Sequence, residues 1–200
     1  SAYIRQKMSE EDNNIAEIPL TKTGYVRRYV RNNTLKGKNR CFYKNAISQL
    51  TLETEEYLMA KRAFAGGFTH AGCLHSGKVC KNVTSFDFSS SYPTVLISEK
   101  YPMTKGVKIE NISLREFENM MEQEVCCIFT ITLEDVKQTF PCESYISESR
   151  CRSLVSPVVN NGRVVSATKL TIDITSVDYN IIKKVYTFKP TAIGHMYVYD

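Results

Sequence analysis

The chain has 200 residues, of which 42% are hydrophobic and 24% are charged, and its formal net charge is +5 at pH 7. This composition is ordinary for a globular protein and suits one large domain or a domain with a subdomain. No run of about 18 apolar residues occurs, and the first residues lack the apolar core of a signal peptide. The sequence therefore predicts no membrane-spanning helix and no membrane partner.

Seven cysteines, an odd number, are interpreted as reduced thiols of an intracellular, cytoplasmic protein. Cys73, His75 and Cys80 offer three metal ligands, but their spacing matches no common zinc pattern and a fourth ligand is missing. The sequence begins with Ser1 rather than Met, from which we expect a piece of a longer protein.

Positive charge is concentrated near the N-terminus. Residues 18–52 include no acid and carry a charge of +8, which leaves −3 for the rest of the chain. The cations are Lys22, Arg27, Arg28, Arg31, Lys36, Lys38, Arg40 and Lys44, with four aromatic residues interleaved. A phosphate backbone is the obvious counter-charge, so this segment predicts nucleic-acid binding; a solvated basic face is the alternative.

The next region predicts two helices with a hairpin between them. In chain order, the predictions are a helix at 51–64, hairpin strands at 68–73 and 79–88, and a helix at 92–99. The first helix has acids in its first turn and bases in its last, which suits the helix dipole. Gly66 and Gly67 end it.

The second half mixes strands and helices without regular alternation, so the fold class is predicted as α+β. Ser113 with Glu116, and Thr175 with Asp178, form capping-box patterns, and one Asn-Gly dipeptide is a hairpin turn signal. In chain order, the predictions are a helix at 114–123, a strand at 125–133, an irregular stretch at 141–153, a hairpin at 157–168, a strand at 170–174, a helix at 176–186 and a strand at 192–200.

The most informative motif is Phe-Asp-Phe-Ser-Ser-Ser-Tyr-Pro at residues 86–93. A carboxylate, Asp87, closes the predicted strand, three serines follow, and a Tyr-Pro pair opens a helix. Free N–H groups at a helix start attract phosphate, and hard divalent cations prefer carboxylate oxygen. The alternative is that Asp87 only caps the helix or the turn.

Together with Phe-Ala-Gly-Gly-Phe-Thr at residues 64–69, this motif resembles family-B DNA polymerases, especially the protein-primed branch of bacteriophages and linear plasmids. That family has a Tyr-x-Gly-Gly motif followed by Asp-x-x-Ser-Leu-Tyr-Pro, and residues 18–28 look like the linker after its exonuclease domain. The chain departs from the pattern at Phe64, where Tyr is usual, at Ala65, where a basic residue is common, and at Ser91, where Leu is usual.

The resemblance implies a role for each matching residue. Asp87 is expected to be one of two carboxylates that hold a pair of catalytic magnesium ions, and the Phe88 carbonyl is expected to add a ligand. Ser90, Ser91 and Tyr92 are expected to bind the incoming nucleotide, with the Tyr92 ring excluding a 2′-hydroxyl. The DNA-contacting residues are expected to be Phe64, Gly66 and Gly67, with Arg27, Arg28 and Arg31 from the basic segment.

The family's later motifs, Asn-Ser-x-Tyr-Gly and Asp-Thr-Asp, do not occur, so we expect a fragment that does not polymerise DNA by itself. Its fold is expected to be part of a polymerase palm, an antiparallel sheet with packed helices, plus a small α/β insertion subdomain. The expected segments are a basic linker at 1–50, the first part of the palm at 51–103, the insertion at 104–186 and a return to the palm at 187–200.

The partners implied are template and primer DNA, deoxynucleoside triphosphates and a terminal protein that serves as primer. Two alternatives stay open at this point. One is a non-catalytic module that binds nucleic acid or a protein partner through the basic segment. The other is a plain structural domain in which Asp87 caps a turn.

Overall fold

The computed structural model describes residues 19, 21–69, 75, 77–99, 101–140 and 143–200. The chain divides into two compact units, Ser1–Thr51 and Leu52–Asp200. Most of the strand predicted at 68–73 lies outside the described residues, and so does the candidate ligand Cys73.

In its described residues, 19 and 21–51, the first unit contains two helices, α1 (Lys22–Thr34) and α2 (Gly37–Leu50). The Thr21 side chain caps α1 by accepting a hydrogen bond from the Gly24 N–H at 3.1 Å. Neither helix buries a side chain in the described residues, so apolar burial within this unit contributes little to its stability. Within the segment predicted as a linker at 1–50, residues 22–34 and 37–50 are helical.

The second unit is built on an antiparallel sheet of six strands. The strands are β1 (Val107–Ile109), β2 (Cys127–Gln138), β3 (Cys151–Val155), β4 (Val158–Asn160), β5 (Arg163–Thr175) and β6 (Tyr186–Val198). Their order is β1-β6-β2-β5-β3, and β4 pairs with β5 beside this path. The helices of this unit are α3 (Thr54–Ala63), α4 (Ser91–Ser98), α5 (Leu114–Glu122) and α6 (Ser176–Val185), with a short 3-10 helix at Glu148–Arg150.

Strand β2 alternates apolar and polar residues from Phe129 to Glu134, yet residues 127–131 are all buried, so its first half is covered on both faces. On one face Phe129 meets Phe117 of α5 and Tyr179 of α6, with ring centroids 4.8 and 5.9 Å apart. On the other face Ile128 belongs to a smaller cluster with Met59 of α3. Helices thus cover both faces of the sheet, and the predicted α+β class is confirmed.

Local signals predicted several elements correctly. Both capping boxes are present, Ser113 with Glu116 and Thr175 with Asp178, and each opens the predicted helix. The Asn-Gly turn has positive φ at both residues, 49° and 72°, and joins β4 to β5 as expected of a hairpin. The helices predicted at 51–64 and 92–99 correspond to α3 and α4.

The strand predicted at 79–88 was wrong. These residues are exposed and in no strand, and Val79 and Val83 leave 93% and 76% of their surface accessible. A β-branched composition favours a strand only where a neighbouring strand pairs with it, and none in the described ranges does so here. The second strand of the hairpin predicted at 157–168 and the strand predicted at 170–174 form one continuous strand, β5.

The proposed division of residues 51–200 into three segments stays a prediction. In the structure, β6 pairs with β1 and with β2, so residues 187–198 share a sheet with residues of the 104–186 segment. Helix α3 is attached to this sheet by Arg62, whose Nε donates a hydrogen bond to the buried Asp173 of β5.

Candidate functional site

Asp87 lies in the exposed loop that precedes α4. Ser90, not Asp87, occupies the N-cap position, with φ 55° and ψ 35° in the left-handed region and no side-chain cap hydrogen bond. Within the described part of the chain, Asp87 accepts no hydrogen bond and forms no ion pair. Its carboxylate therefore does not cap α4, and it bonds to no other described residue of the loop.

The start of α4 presents free donors and an exposed ring. The N–H groups of Ser91 and Tyr92 belong to the first turn, where no intrahelical acceptor exists. Pro93 also lies in this turn, where a missing N–H breaks no helical bond. The Tyr92 ring is 83% exposed, and Phe86 and Phe88 are exposed on the loop beside Asp87. The motif therefore combines one carboxylate, free amides and unburied aromatic rings.

The described residues do not by themselves fit a pair of metal ions. They contain no group of three or more His, Cys, Asp or Glu side chains placed to hold a metal. Asp87 is the single acidic residue from 84 to 98. Two divalent ions need bridging and terminal carboxylate ligands that one side chain cannot supply.

The glycine loop, residues 64–68, follows α3 and forms one wall of a cleft. Phe64 is 75% exposed, and a Cβ added to Gly66 or Gly67 meets nothing within 4 Å. The loop is held at both ends: Arg150 donates a hydrogen bond to the Ala63 carbonyl at 2.7 Å, and the Arg163 guanidinium lies 4.5 Å from the Phe68 ring centroid. The predicted DNA-contacting residues of this loop thus share one cleft.

The opposite wall of the cleft comes from residues 145–150 and from the start of β5. The cleft measures ≈ 290 Å³, and its lining residues beyond the loop are Tyr145, Ser147, Ser149, Arg150 and Arg163. Sequence reasoning missed these residues, because they lie about eighty positions from the glycine loop and form no local motif.

A buried network fixes Arg150 in this wall. Its guanidinium lies 3.2 Å from the Asp178 carboxylate, which also accepts a hydrogen bond from the Tyr145 hydroxyl. Burial, followed by the hydrogen bond to Asp178, raises the pKa of Tyr145 to about 12, so the phenol stays a donor at neutral pH. Asp178 in turn completes the capping box of α6 with Thr175.

The predicted basic residues gather in the first unit. Arg27, Arg28 and Arg31 lie on one side of α1, since they are one and four residues apart. A second cleft of ≈ 710 Å³ lies between α1 and α2. It is lined by four cations, Arg31, Lys36, Arg40 and Lys44, with Asn32, Leu35 and Tyr43. The sequence predicted the cations but not their convergence on one cleft.

Comparison with protein families gives the class of protein. The chain matches the family described as DNA polymerase type B, organellar and viral, over residues 10–199. The match includes the basic helices, the glycine loop and the Asp87 motif. Searches of curated proteins and of solved structures found no match. Because the family match covers nearly the whole sequence, this chain belongs to the organellar and viral type B DNA polymerases.

The family establishes DNA-directed DNA polymerase activity as the class of function, with DNA and deoxynucleoside triphosphates as its substrates. Among the helices in the described ranges, none has the length and apolar character needed to cross a bilayer.

Proposed function

We propose that this chain forms part of a replicative DNA polymerase and that its Asp87 motif faces the reacting groups during nucleotide addition. One observation carries the proposal: a single family match covers residues 10–199 and so includes both the glycine loop and the Asp87 motif. The exposure of Asp87, which has no partner among the described residues, supports it, because such a carboxylate is available for chemistry.

Asp87, with the Phe88 carbonyl, is proposed as part of a magnesium site that a second carboxylate from elsewhere in the polymerase completes. Magnesium, when bound, stabilises the charge that develops on the phosphate during phosphoryl transfer. Since the described residues do not hold the ions alone, we expect the isolated chain to add no nucleotides. Primer extension by the purified 200-residue chain, free of other polymerases, would contradict this expectation.

The nucleotide is proposed to lie at the start of α4. The free N–H groups of Ser91 and Tyr92 and the Ser90 hydroxyl are donors that suit a triphosphate. The exposed Tyr92 ring suits contact with the sugar, where its bulk leaves no room for a 2′-hydroxyl.

The remaining roles follow the same resemblance. We propose that the parent protein is intracellular and uses a terminal protein as primer, and that residues 104–186 contact the template strand and that protein. A test is transfer of labelled deoxynucleotide onto a protein hydroxyl by the whole polymerase. Label found only on DNA or RNA primers contradicts protein priming but leaves the polymerase assignment intact.

Asp87→Asn tests the central proposal in the whole polymerase. The substitution keeps the shape of the side chain and removes its charge, so we expect nucleotide addition to fall at least about 10³-fold. The melting temperature is expected to stay unchanged, because Asp87 has no partner in the described structure. Glu99→Gln, at an exposed carboxylate just after α4, is the matched control and should retain activity. Near-normal turnover of Asp87→Asn would remove Asp87 from the site.

Tyr92→Val tests the sugar contact separately, because it removes bulk rather than charge. We expect ribonucleotides to be accepted while much of the deoxynucleotide reaction remains. The measurement is the ratio of kcat/KM values for a ribonucleotide and its deoxynucleotide on the same enzyme. An unchanged ratio would contradict the role of Tyr92 and put the alignment of the whole motif in doubt.

A second function, nucleic-acid binding without catalysis, is favoured by the four cations that line the cleft between α1 and α2. The two functions are distinguished by metal dependence. DNA binding in the presence of a chelator, with no magnesium-dependent nucleotide binding in the whole polymerase, supports the binding module alone.

A further inference from the structure

A groove of ≈ 330 Å³ lies between α5, α6 and β6. Part of its lining is apolar: Met121 and Tyr179 are buried, and the ring centroids of Tyr179 and Phe188 are 6.0 Å apart. Two glutamates of α5 and one lysine of α6 also line it. The groove therefore combines an apolar surface with a charged border on which acids outnumber bases.

The acidic residues of α5 lie where they lower the stability of the helix. Glu118 and Glu122 are four residues apart, so two like charges share one face of the helix. Glu122 is also the last helical residue, where the helix dipole favours a cation, and the last turn has no basic residue. A conflict of this kind between local sequence and stability is typical of a functional site.

Neither glutamate has a partner in the described part of the chain. The carboxylates of Glu118 and Glu122 form no ion pair and accept no hydrogen bond there, although Arg115 lies three residues before Glu118. The ammonium group of Lys183 lies 5.5 Å from the centroid of the Tyr179 ring and forms no ion pair with a described residue. The lysine of the groove therefore leaves both carboxylates available to another cation.

Tyr179 adds a polar group to the same groove. The residue is 4% exposed, and its hydroxyl has no hydrogen-bond partner among the described residues. Burial, followed by the charge of Glu118, raises the pKa of the phenol, so it stays protonated at neutral pH. Polar groups in such deeply buried residues usually have a partner, and the phenol oxygen can accept a hydrogen bond from a cationic donor.

The groove fits a cation that is carried on an apolar stem. Two carboxylates one helical turn apart suit a guanidinium or ammonium group, and the rings of Tyr179 and Phe188 suit the methylene chain beneath it. A nucleic-acid strand is disfavoured here, because the phosphates and the two glutamates have charges of the same sign. Arginine and lysine side chains of a protein supply both the charge and the stem.

We propose that the groove between α5, α6 and β6 is the docking site for a basic segment of a partner protein. An arginine or lysine of that segment binds Glu118 and Glu122, and an apolar neighbour packs on the rings of the groove. Charge complementarity favours a basic partner, because residues 114–124 hold four glutamates and one arginine, a net charge of −3. The inference deepens the protein contact proposed for residues 104–186 and rests on it, naming the surface and the charge of the partner.

The test uses the intact 200-residue chain and a fluorescein-labelled amphipathic peptide, with leucines on one helical face and arginines at the borders of that face. Binding is measured by fluorescence anisotropy. Glu118→Gln/Glu122→Gln should bind the peptide about tenfold more weakly, since it removes the two charges that pair with arginine. Glu53→Gln/Glu99→Gln removes the same net charge at exposed positions outside the groove and, as the matched control, should bind as the parent does.

Thermal unfolding separates binding from a structural role. Because Glu118→Gln/Glu122→Gln relieves like-charge repulsion and removes a negative charge at the end of α5, its melting temperature should equal or exceed that of the parent. Tyr179→Phe removes only the hydroxyl and should weaken binding about threefold without lowering the melting temperature. Weaker binding together with a lower melting temperature in both variants would mean that these side chains support the fold and would overturn the docking site.

Two matched peptides distinguish the groove from its charge. Replacing the leucines of the peptide with serine should weaken binding to the parent chain at least about tenfold, because the apolar contact is lost. Replacing its arginines with glutamate should abolish binding. Equal binding of the leucine and serine peptides would reduce the site to a charged surface and overturn the groove.

Other outcomes also decide the proposal. Parent-like peptide binding by Glu118→Gln/Glu122→Gln, an equal loss in the control variant, or no binding by the parent chain would overturn the site. Displacement of the peptide by millimolar spermidine, at constant ionic strength, would assign the groove to a free polyamine instead. Transfer of labelled deoxynucleotide onto a protein hydroxyl measures the proposed priming independently of the peptide, so its failure is distinct from failure of the groove.

Discussion

Asp173 is the most deeply buried charged group of the described structure, and its surroundings explain its position. It lies opposite Thr130 in the β2–β5 pairing and accepts a hydrogen bond from the Thr130 hydroxyl at 2.6 Å. Arg62 of α3 and Arg152 of β3 both reach its carboxylate, while each keeps part of its side chain exposed. The arrangement holds α3, and hence the start of the glycine loop, against the sheet.

Asp173→Asn is expected to lower the free energy of unfolding by about 3 kcal/mol, because it removes the charge from the buried carboxylate and weakens its hydrogen bonds with Thr130, Arg62 and Arg152. Urea denaturation of the intact chain measures it. Asp135→Asn is the matched control, since its ion pair with Lys189 is exposed and such pairs contribute at most about 1 kcal/mol. Equal effects of the two substitutions would contradict a stabilising role for the Asp173 cluster.

At the scale of single elements, the sequence was most informative where the signal is local. The two capping boxes and the Asn-Gly turn each depend on side chains within three residues of one another, and all three were predicted correctly. The prediction of a strand at 79–88 was wrong because strand formation depends on a distant partner strand. Helices α1 and α2 were missed because their apolar residues are exposed and give no clear buried stripe.

The capping box of α5 allows a prediction at this scale. Ser113→Ala removes the side-chain acceptor for the Glu116 N–H and is expected to lower the free energy of unfolding by about 1 kcal/mol at pH 7. Ser153→Ala, exposed on β3 and outside any cap, should change it little. Equal changes in the free energy of unfolding for Ser113→Ala and Ser153→Ala would mean that the cap adds no stability.

The same capping box should depend on pH. Hydrogen bonds from the Ser113 side chain and backbone lower the pKa of Glu116 below its usual value. A carboxyl with a lowered pKa in the folded state stabilises the protein above its unfolded pKa, and this contribution disappears as the pH falls through the folded pKa. The difference in stability between the parent chain and Glu116→Gln should therefore narrow as the pH falls below 4.5, the usual pKa of a glutamate, as measured by urea denaturation. A constant difference would contradict the cause assigned to the pKa shift.

At the scale of the whole molecule, the family could be predicted from the sequence, but the cleft beside the glycine loop could not. The glycine loop and the Asp87 motif are short patterns whose order in the chain is itself informative, and the family match agrees with them. Arg150 and Arg163 become candidates only when the fold brings them to Ala63 and Phe68. In the sequence alone, no local motif distinguishes these two arginines from ordinary surface arginines.

The cations of helices α1 and α2 allow a test of how the chain binds DNA. Arg27 and Arg31 are exposed one turn apart on α1, and Arg31 reaches the cleft that Lys36, Arg40 and Lys44 share. These cations have no acidic neighbour in residues 18–52, so their charge is not neutralised within the segment. A phosphate backbone that follows them would release one condensed counterion at each contact.

We therefore expect weak, strongly salt-dependent binding of duplex DNA by the intact chain. If about five cations contact phosphates, the slope of log K against log salt should lie near −4 to −5. Replacing Arg27, Arg28 and Arg31 with Gln should make that slope shallower by about 2 to 3, because each lost phosphate contact removes about 0.9. The matched control replaces three exposed lysines of the second unit, Lys105, Lys137 and Lys184, with Gln. Equal slopes in the parent and the arginine variant would mean that α1 presents only a solvated basic face. If the arginine variant and the lysine control lost the same amount of slope, net charge alone would account for the attraction of DNA.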